Sequence, residues 1–142
     1  CVEGKIGHLT LLGIDDKERT TLASDLRAKT SIPLDDTSIT PESLQSALAQ
    51  AQLLIHCTPI GMHPKIEESC VPKNLLHRDL TVMDIVYNPL NTRLLQDAQA
   101  VGCRTIQGID MFLHQAVGQF ELWTGKSAPI DVMRIVLTSH FQ

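Results

Sequence analysis

The sequence predicts an α/β fold: a parallel sheet with helices packed against it. Three observations lead there. Short, mostly apolar runs at His8-Leu9-Thr10-Leu11-Leu12, Leu53-Leu54-Ile55-His56-Cys57 and Leu80 to Tyr87 have the length of strands covered on both faces. Amphipathic stretches alternate with such runs, giving a β-α-β-α-β-α-β order followed by two helices. Prolines, glycines and polar residues follow the runs, which places a polar site at the carboxyl edge of the sheet.

Gly13 ends the first run, and Asp15 and Asp16 offer an N-cap to a helix carrying Leu22, Ala23 and Leu26 as far as about Lys29. Ser31 to Ile39 is polar, contains Pro33, and reads as an edge strand or a loop. Thr40-Pro41-Glu42 then supplies a cap, a proline at the first helical position and an early carboxylate for a helix through Leu44 and Leu48. The run at residues 53–57 stops at Thr58-Pro59-Ile60-Gly61, and Met62 to Asn74 is an aperiodic connection placed to lie over the site. After the strand ending at Tyr87, Thr92 caps a helix with Leu94, Leu95, Ala98 and Val101, and Gly102 is its left-handed terminator. Cys103-Arg104-Thr105-Ile106 is a short strand. Asp110 to Thr124 is helical, with Met111, Gln115, Gly118 and Leu122 along one side and Gly125 at its end. Pro129 opens a last helix, residues 129–140, striped by Ile130, Met133, Val136 and Leu137.

With 142 residues the chain fits one domain and is short for an enzyme with two lobes. A net charge of −4 and the lack of any Lys/Arg block argue against nucleic-acid or acidic-membrane partners, leaving a small molecule or a protein. Cys1, Cys57, Cys70 and Cys103 form no CxxC pair and read as reduced thiols. No apolar run spans a bilayer and no leader opens the chain, so a cytoplasmic protein is expected. His56 and His63 have no carboxylate or thiol at metal-ligand spacing apart from Cys57, so no metal is expected.

The candidate site residues follow the strands: Gly13 to Asp15, Thr58 to Met62, Tyr87 to Asn88, and Gly108 to Gln115. The turn at Thr58 presents backbone amides and carbonyls, or simply ends a strand. Tyr87 either offers its phenol to a substrate oxygen or packs as an aromatic. Gln115, on a face with Met111 and Leu122, needs hydrogen-bond partners, which a ligand or a neighbouring backbone supplies. Asp84 is a base or a structural carboxylate accepting backbone amides; its mid-strand place suits the structural role. His114 is expected in solvent, and Phe120 and Trp123 in the core. No GxGxxG occurs among the eight glycines, so no pyrophosphate loop is visible.

Between about residues 50 and 137 the wording resembles shikimate dehydrogenase in order and spacing. His56-Cys57-Thr58-Pro59-Ile60-Gly61-Met62 stands where that family has an Asn-x-Thr-Pro-x-Gly-Met turn. Asp84-Ile85-Val86-Tyr87-Asn88-Pro89 with Thr92-Arg93-Leu94-Leu95 follows, then Gly102, Gly108, Met111, Gln115-Ala116, Phe120 and Leu122-Trp123-Thr124-Gly125. The resemblance implies a Rossmann-like nucleotide-binding domain fragment spanning residues 1–142, incomplete because the N-terminal substrate lobe and the glycine-rich loop are absent. It implies reversible NADP(H)-dependent reduction of 3-dehydroshikimate to shikimate, in aromatic amino-acid biosynthesis. Tyr87 and Gln115 would bind substrate. Thr58, Pro59, Ile60 and Ile85 would line the cofactor's ribose and nicotinamide, Gly108 would offer its carbonyl, and Met111 would pack on the ring. The helices at residues 110–124 and 129–140 would pack back toward the missing lobe.

That lobe carries the family's catalytic Lys and Asp, so no catalytic residue is expected here and the fragment alone should not turn over. Gly13, Ile14 and Asp15 stand at the family's Asn-Arg-Thr, whose arginine binds the 2′-phosphate. Asp15 in that place suits NAD, while Lys17 and Arg19 could restore NADP. In an alternative register Glu3-Gly4-Lys5 opens the whole nucleotide domain. The rival readings are an NAD-dependent quinate/shikimate dehydrogenase and a noncatalytic binding module.

Overall fold

A computed structural model describes residues 6–140. Cys1 and the alternative opening at Glu3-Gly4-Lys5 lie outside the described residues. The chain divides after Gln50 into two compact units.

The first unit holds β1 (Leu9–Gly13), α1 (Asp16–Lys29), β2 (Leu34–Ser38) and α2 (Pro41–Leu48). β1 and β2 pair in parallel from Leu9↔Leu34 to Gly13↔Ser38, so the polar 31–39 segment is a strand. Its alternating half-buried and exposed residues explain why apolar content failed to mark it. β1 differs from expectation in the other direction, for all five of its residues are only half-buried. Asp15 caps α1 by accepting from Glu18 N at 2.9 Å. Thr40 and Ser43 form a reciprocal capping box at α2, with Pro41 in its first turn.

The second unit holds β3 (Leu53–His56), a single 3-10 turn at Lys73–Leu75, β4 (Thr81–Asp84), α3 (Arg93–Val101), β5 (Arg104–Ile106), α4 (Gly108–Thr124) and α5 (Ile130–His140). The strands form a parallel sheet in the order β3-β4-β5. Parallel neighbours need a long crossover, usually helical. Between β3 and β4 that crossover is instead the proline-bearing connection, as its lack of periodicity implied. Leu80, Val82, Val86, Leu94, Leu95, Ala98, Ile109 and Leu113 are buried and form the core of this unit. α3 begins at the Thr92 cap and ends at Gly102, whose φ of 93° suits a residue without Cβ.

Two expectations fail. β4 stops at Asp84 rather than running to Tyr87, because the Val86 amide turns to the Asp84 side chain at 3.0 Å. Trp123 is 76% exposed on α4 and is not a core residue.

Candidate functional site

Three parallel strands end side by side, and the segments that leave them carry most of the candidate residues of the second unit. At the tip of β3, Pro59 and Ile60 are exposed, and the Met62 amide closes a turn onto the Pro59 carbonyl at 3.1 Å. Gly61 has φ 82°, and a Cβ there would meet the Glu68 carbonyl at 3.0 Å, so the turn needs glycine. Pro59, Ile60, Met62, His63, Pro64, Lys65 and Glu68 line an open cleft of about 290 Å³.

Beyond β4, Ile85 continues the ladder by donating its amide to the His56 carbonyl at 3.2 Å. Tyr87 then stacks on Phe112 of α4, with ring centroids 4.9 Å apart and planes at 9°. Beyond β5, α4 starts at Gly108, directly against the tail of β4. A Cβ on Gly108 would lie 2.4 Å from the Ile85 carbonyl oxygen and 2.6 Å from that of Val86, so only glycine permits this approach. Met111 follows on the same helix, half-buried, and Gln107 ties the start of α4 to the Leu90 carbonyl at 3.2 Å. Ile85, Tyr87, Gly108 and Met111 are thereby brought together, and Thr58 sits at the neighbouring strand tip.

Gln115 lies one turn beyond Met111 and is exposed, as is His114. Its amide faces solvent and not the apolar surroundings inferred from Met111 and Leu122. The buried-polar argument for Gln115 therefore fails, although its place on the helix that carries Met111 stands. Asp15, in the first unit, is exposed and occupied by its cap. Ile14 beside it is 89% exposed. Arg19 donates to Asp16 at 2.6 Å and to Ser38 at 3.3 Å, and stands 3.8 Å from Asp36.

The residue pair that sequence reading missed is His56 with Asp84. These are the last residues of β3 and β4 and are register partners. His56 is 4% exposed and Asp84 fully buried. Asp84 Oδ1 accepts from His56 Nδ1 at 2.9 Å and from the Val86 amide at 3.0 Å, while Oδ2 accepts from the Thr92 hydroxyl at 2.7 Å. His56 Nε2 contacts the Thr58 hydroxyl. Burial alone disfavours the imidazolium, yet hydrogen bonds and charge from Asp84 and Cys70 outweigh it and raise the His56 pKa to about 9. The sequence marked Asp84 as a carboxylate in an apolar run, but its pairing with His56 follows from the strand register, which only the fold supplies.

No group of three or more His, Cys, Asp or Glu among the described residues is arranged to hold a metal. No helix among them is long and apolar enough to cross a membrane.

A parallel α/β unit with its polar residues gathered at the carboxyl edge belongs to the Rossmann-like class. Residues 108–137 match the family profile of the shikimate 5'-dehydrogenase C-terminal domain. A shikimate dehydrogenase (NADP(+)) of Dehalococcoides mccartyi is 39% identical over 127 residues, which is 89% of this chain and 44% of the relative. Quinate dehydrogenase from Corynebacterium glutamicum, solved in complex with NAD, superposes with a TM-score of 0.86 at 29% identity, covering 97% of this chain and 48% of that one. Shikimate 5-dehydrogenase from Listeria monocytogenes, solved with shikimate and NAD, gives 0.84 at 28% identity, covering 93% and 56%. The chain resembles the C-terminal part of the shikimate dehydrogenases along most of its length. It spans a little under half the length of the curated relatives it matches, 44% in the first of them.

Proposed function

We propose that the chain is the nucleotide-binding part of a shikimate dehydrogenase, whose whole protein interconverts 3-dehydroshikimate and shikimate with NADP(H) in the cytoplasm, in aromatic amino-acid biosynthesis. The observation that carries this reading is the packing of Gly108 on the Ile85-Val86 backbone, which sets the start of α4 against the tip of β4 beside Tyr87. In this reading Thr58, Pro59, Ile60 and Ile85 line the ribose and nicotinamide, Gly108 presents its carbonyl to the carboxamide, and Met111 packs on the ring. The exposed apolar surfaces of Ile60 and Met62 fit a ring face that must be kept from water. The dinucleotide supplies or accepts the hydride. Tyr87 and Gln115 bind and orient the substrate's hydroxyl or carboxylate groups, and the exposure of Gln115 leaves its amide available to do so.

Proton transfer at the reacting hydroxyl falls in this reading to a Lys and an Asp of a further lobe, so these 142 residues alone do not turn over. The apolar side chains of Leu122, Trp123, Val132, Ile135 and Val136, all exposed on α4 and α5, are suited to pack against that lobe.

One observation favours NAD as a second reading. Arg19 is engaged by Asp16, Asp36 and Ser38, and in this reading Ile14, followed by Asp15, takes the place of the family's phosphate-binding arginine. An acidic tip with its arginine committed suits a free ribose hydroxyl better than a phosphate. Absorbance at 340 nm, followed for the full-length protein with shikimate or quinate and either NADP or NAD, tests both readings. Shikimate-dependent reduction of NADP supports the first; a preference for NAD supports the quinate/shikimate alternative. No reduction with any pair, while ligand still binds, would leave a noncatalytic module. Gln115→Ala should raise the KM for shikimate about tenfold, the worth of one or two hydrogen bonds, and an unchanged KM would remove Gln115 from the site.

A further inference from the structure

A buried imidazole stands behind the residues assigned to the cofactor and reaches the first of them. His56, 4% exposed at the end of β3, has both ring nitrogens engaged: Nδ1 meets Asp84 Oδ1 at 2.9 Å, and Nε2 meets the Thr58 hydroxyl. We propose that His56 is a positioning residue for the dinucleotide, holding the Thr58 hydroxyl so that its one remaining hydrogen-bonding valence faces the bound nicotinamide and its ribose. The inference rests on the dehydrogenase reading above, in which Thr58, Pro59 and Ile60 line the cofactor, and adds what orients them.

Donors and acceptors around the ring leave a single arrangement. Asp84 Oδ1 also accepts from the Val86 amide at 3.0 Å and Oδ2 from the Thr92 hydroxyl at 2.7 Å, so Asp84 is an acceptor throughout and the proton it shares with His56 sits on Nδ1. Nε2 is thereby fixed on Thr58. A hydroxyl has one proton and two lone pairs. One lone pair of Thr58 Oγ1 takes the Ile60 amide at 3.3 Å and His56 occupies a second valence, which leaves one for a ligand. Burial lowers the His56 pKa, but Asp84 and Cys70, the titratable groups that act on the ring, raise it to about 9, so at neutral pH the imidazolium donates its Nε2 proton. The valence left on Thr58 is then its own proton, which suits an acceptor oxygen such as a ribose hydroxyl or the carboxamide carbonyl.

The same contact governs the turn. Thr58 is half-buried at the base of a turn whose Pro59 and Ile60 are exposed, and the Ile60 amide is tied to the hydroxyl that His56 holds. Asp84 is anchored to the start of α3 through Thr92 and to the tail of β4 through Val86. The hydrogen-bonded series Asp84, His56, Thr58 therefore runs from a fully buried carboxylate to the exposed tip of β3. A purely structural imidazole needs only its Asp84 end; the Thr58 end is what gives His56 a role at the site.

The test is the affinity of the full-length protein for NADP and for NAD, measured by titration calorimetry in the unaltered protein, H56N, H56Q, T58V and the double variant H56N/T58V. Asn puts its amide nitrogen near the Nδ1 position, keeping a donor for Asp84 and losing Thr58; Gln reaches the Nε2 position, keeping a donor for Thr58 and losing Asp84. H56N and T58V, with unchanged circular dichroism spectra, should each weaken the dinucleotide about tenfold, the worth of one or two hydrogen bonds, and H56Q should weaken it less. The double variant should bind no more weakly than T58V, because His56 acts through that hydroxyl. A folded H56N that binds as tightly as the unaltered protein would overturn the proposal, and so would fully additive losses in H56N/T58V or a greater loss in H56Q than in H56N, the order that a role through Asp84 alone gives. T58V leaves the Asp84–His56 bond in place, so unchanged affinity in T58V overturns the proposal even if the His56 variants fail to fold. Absence of dinucleotide binding by the unaltered protein overturns the dehydrogenase reading itself, so the two failures are told apart.

Discussion

Asp84 is fully buried and accepts three hydrogen bonds, from His56, Val86 and Thr92. Two of these reach back to the end of β3 and forward to the cap of α3, so a single carboxylate joins three elements. Asp84→Asn would replace an acceptor oxygen with a donor and leave the His56 cation unpaired. Urea unfolding should show a loss of about 3 kcal/mol, the range for breaking a buried ion pair. The pair also sets a pH dependence. The His56 pKa is raised in the folded state to about 9 from an ordinary 6.5, so folding favours the protonated ring. Its stabilisation is fully present below pH 6.5 and is lost as pH rises through 9. The urea midpoint should therefore fall between pH 7 and pH 9.5, and His56→Asn should flatten that part of the profile. A profile as steep in His56→Asn as in the unaltered protein would remove His56 as its source. Asp84 was legible as an odd carboxylate in an apolar run, but its partner was not. Register between parallel strands joined by a long crossover cannot be read from local pattern.

Helices were the most legible elements, because each carries its punctuation in the chain. Asp15, Thr40 and Thr92 cap α1, α2 and α3, and Gly102 and Gly125 end α3 and α4 in the left-handed region. Strands were less so. β2 is polar and alternates, and β4 is shorter than its apolar run because the Val86 amide leaves the ladder for a side chain. The face of α4 was misjudged at Trp123 and Gln115, both exposed, since an apolar or amide side chain at helical spacing does not say whether anything covers it. Two glycines of α4 give opposed predictions. Gly108→Ala would force a Cβ to within 2.4 Å of the Ile85 carbonyl and should cost about 1–3 kcal/mol or more in thermal or urea unfolding. Gly118→Ala meets nothing within 4 Å and should stabilise by about 0.5–1 kcal/mol through helix propensity. Equal effects of the two would contradict the close approach at Gly108.

At the scale of the whole molecule, composition and element order were enough to give the α/β class, and the motifs between residues 50 and 137 gave the family resemblance. The division after Gln50 was not legible, because no linker composition marks it. The central claim is that the tips of β3, β4 and β5 form the nicotinamide end of a dinucleotide site. Amide hydrogen exchange of the full-length protein, measured with and without NADP or NAD, tests it most directly. The account predicts slowed exchange confined mainly to residues 58–62, 85–87 and 108–115 within this unit when cofactor is added. Unchanged exchange in all three segments at saturating cofactor would contradict it.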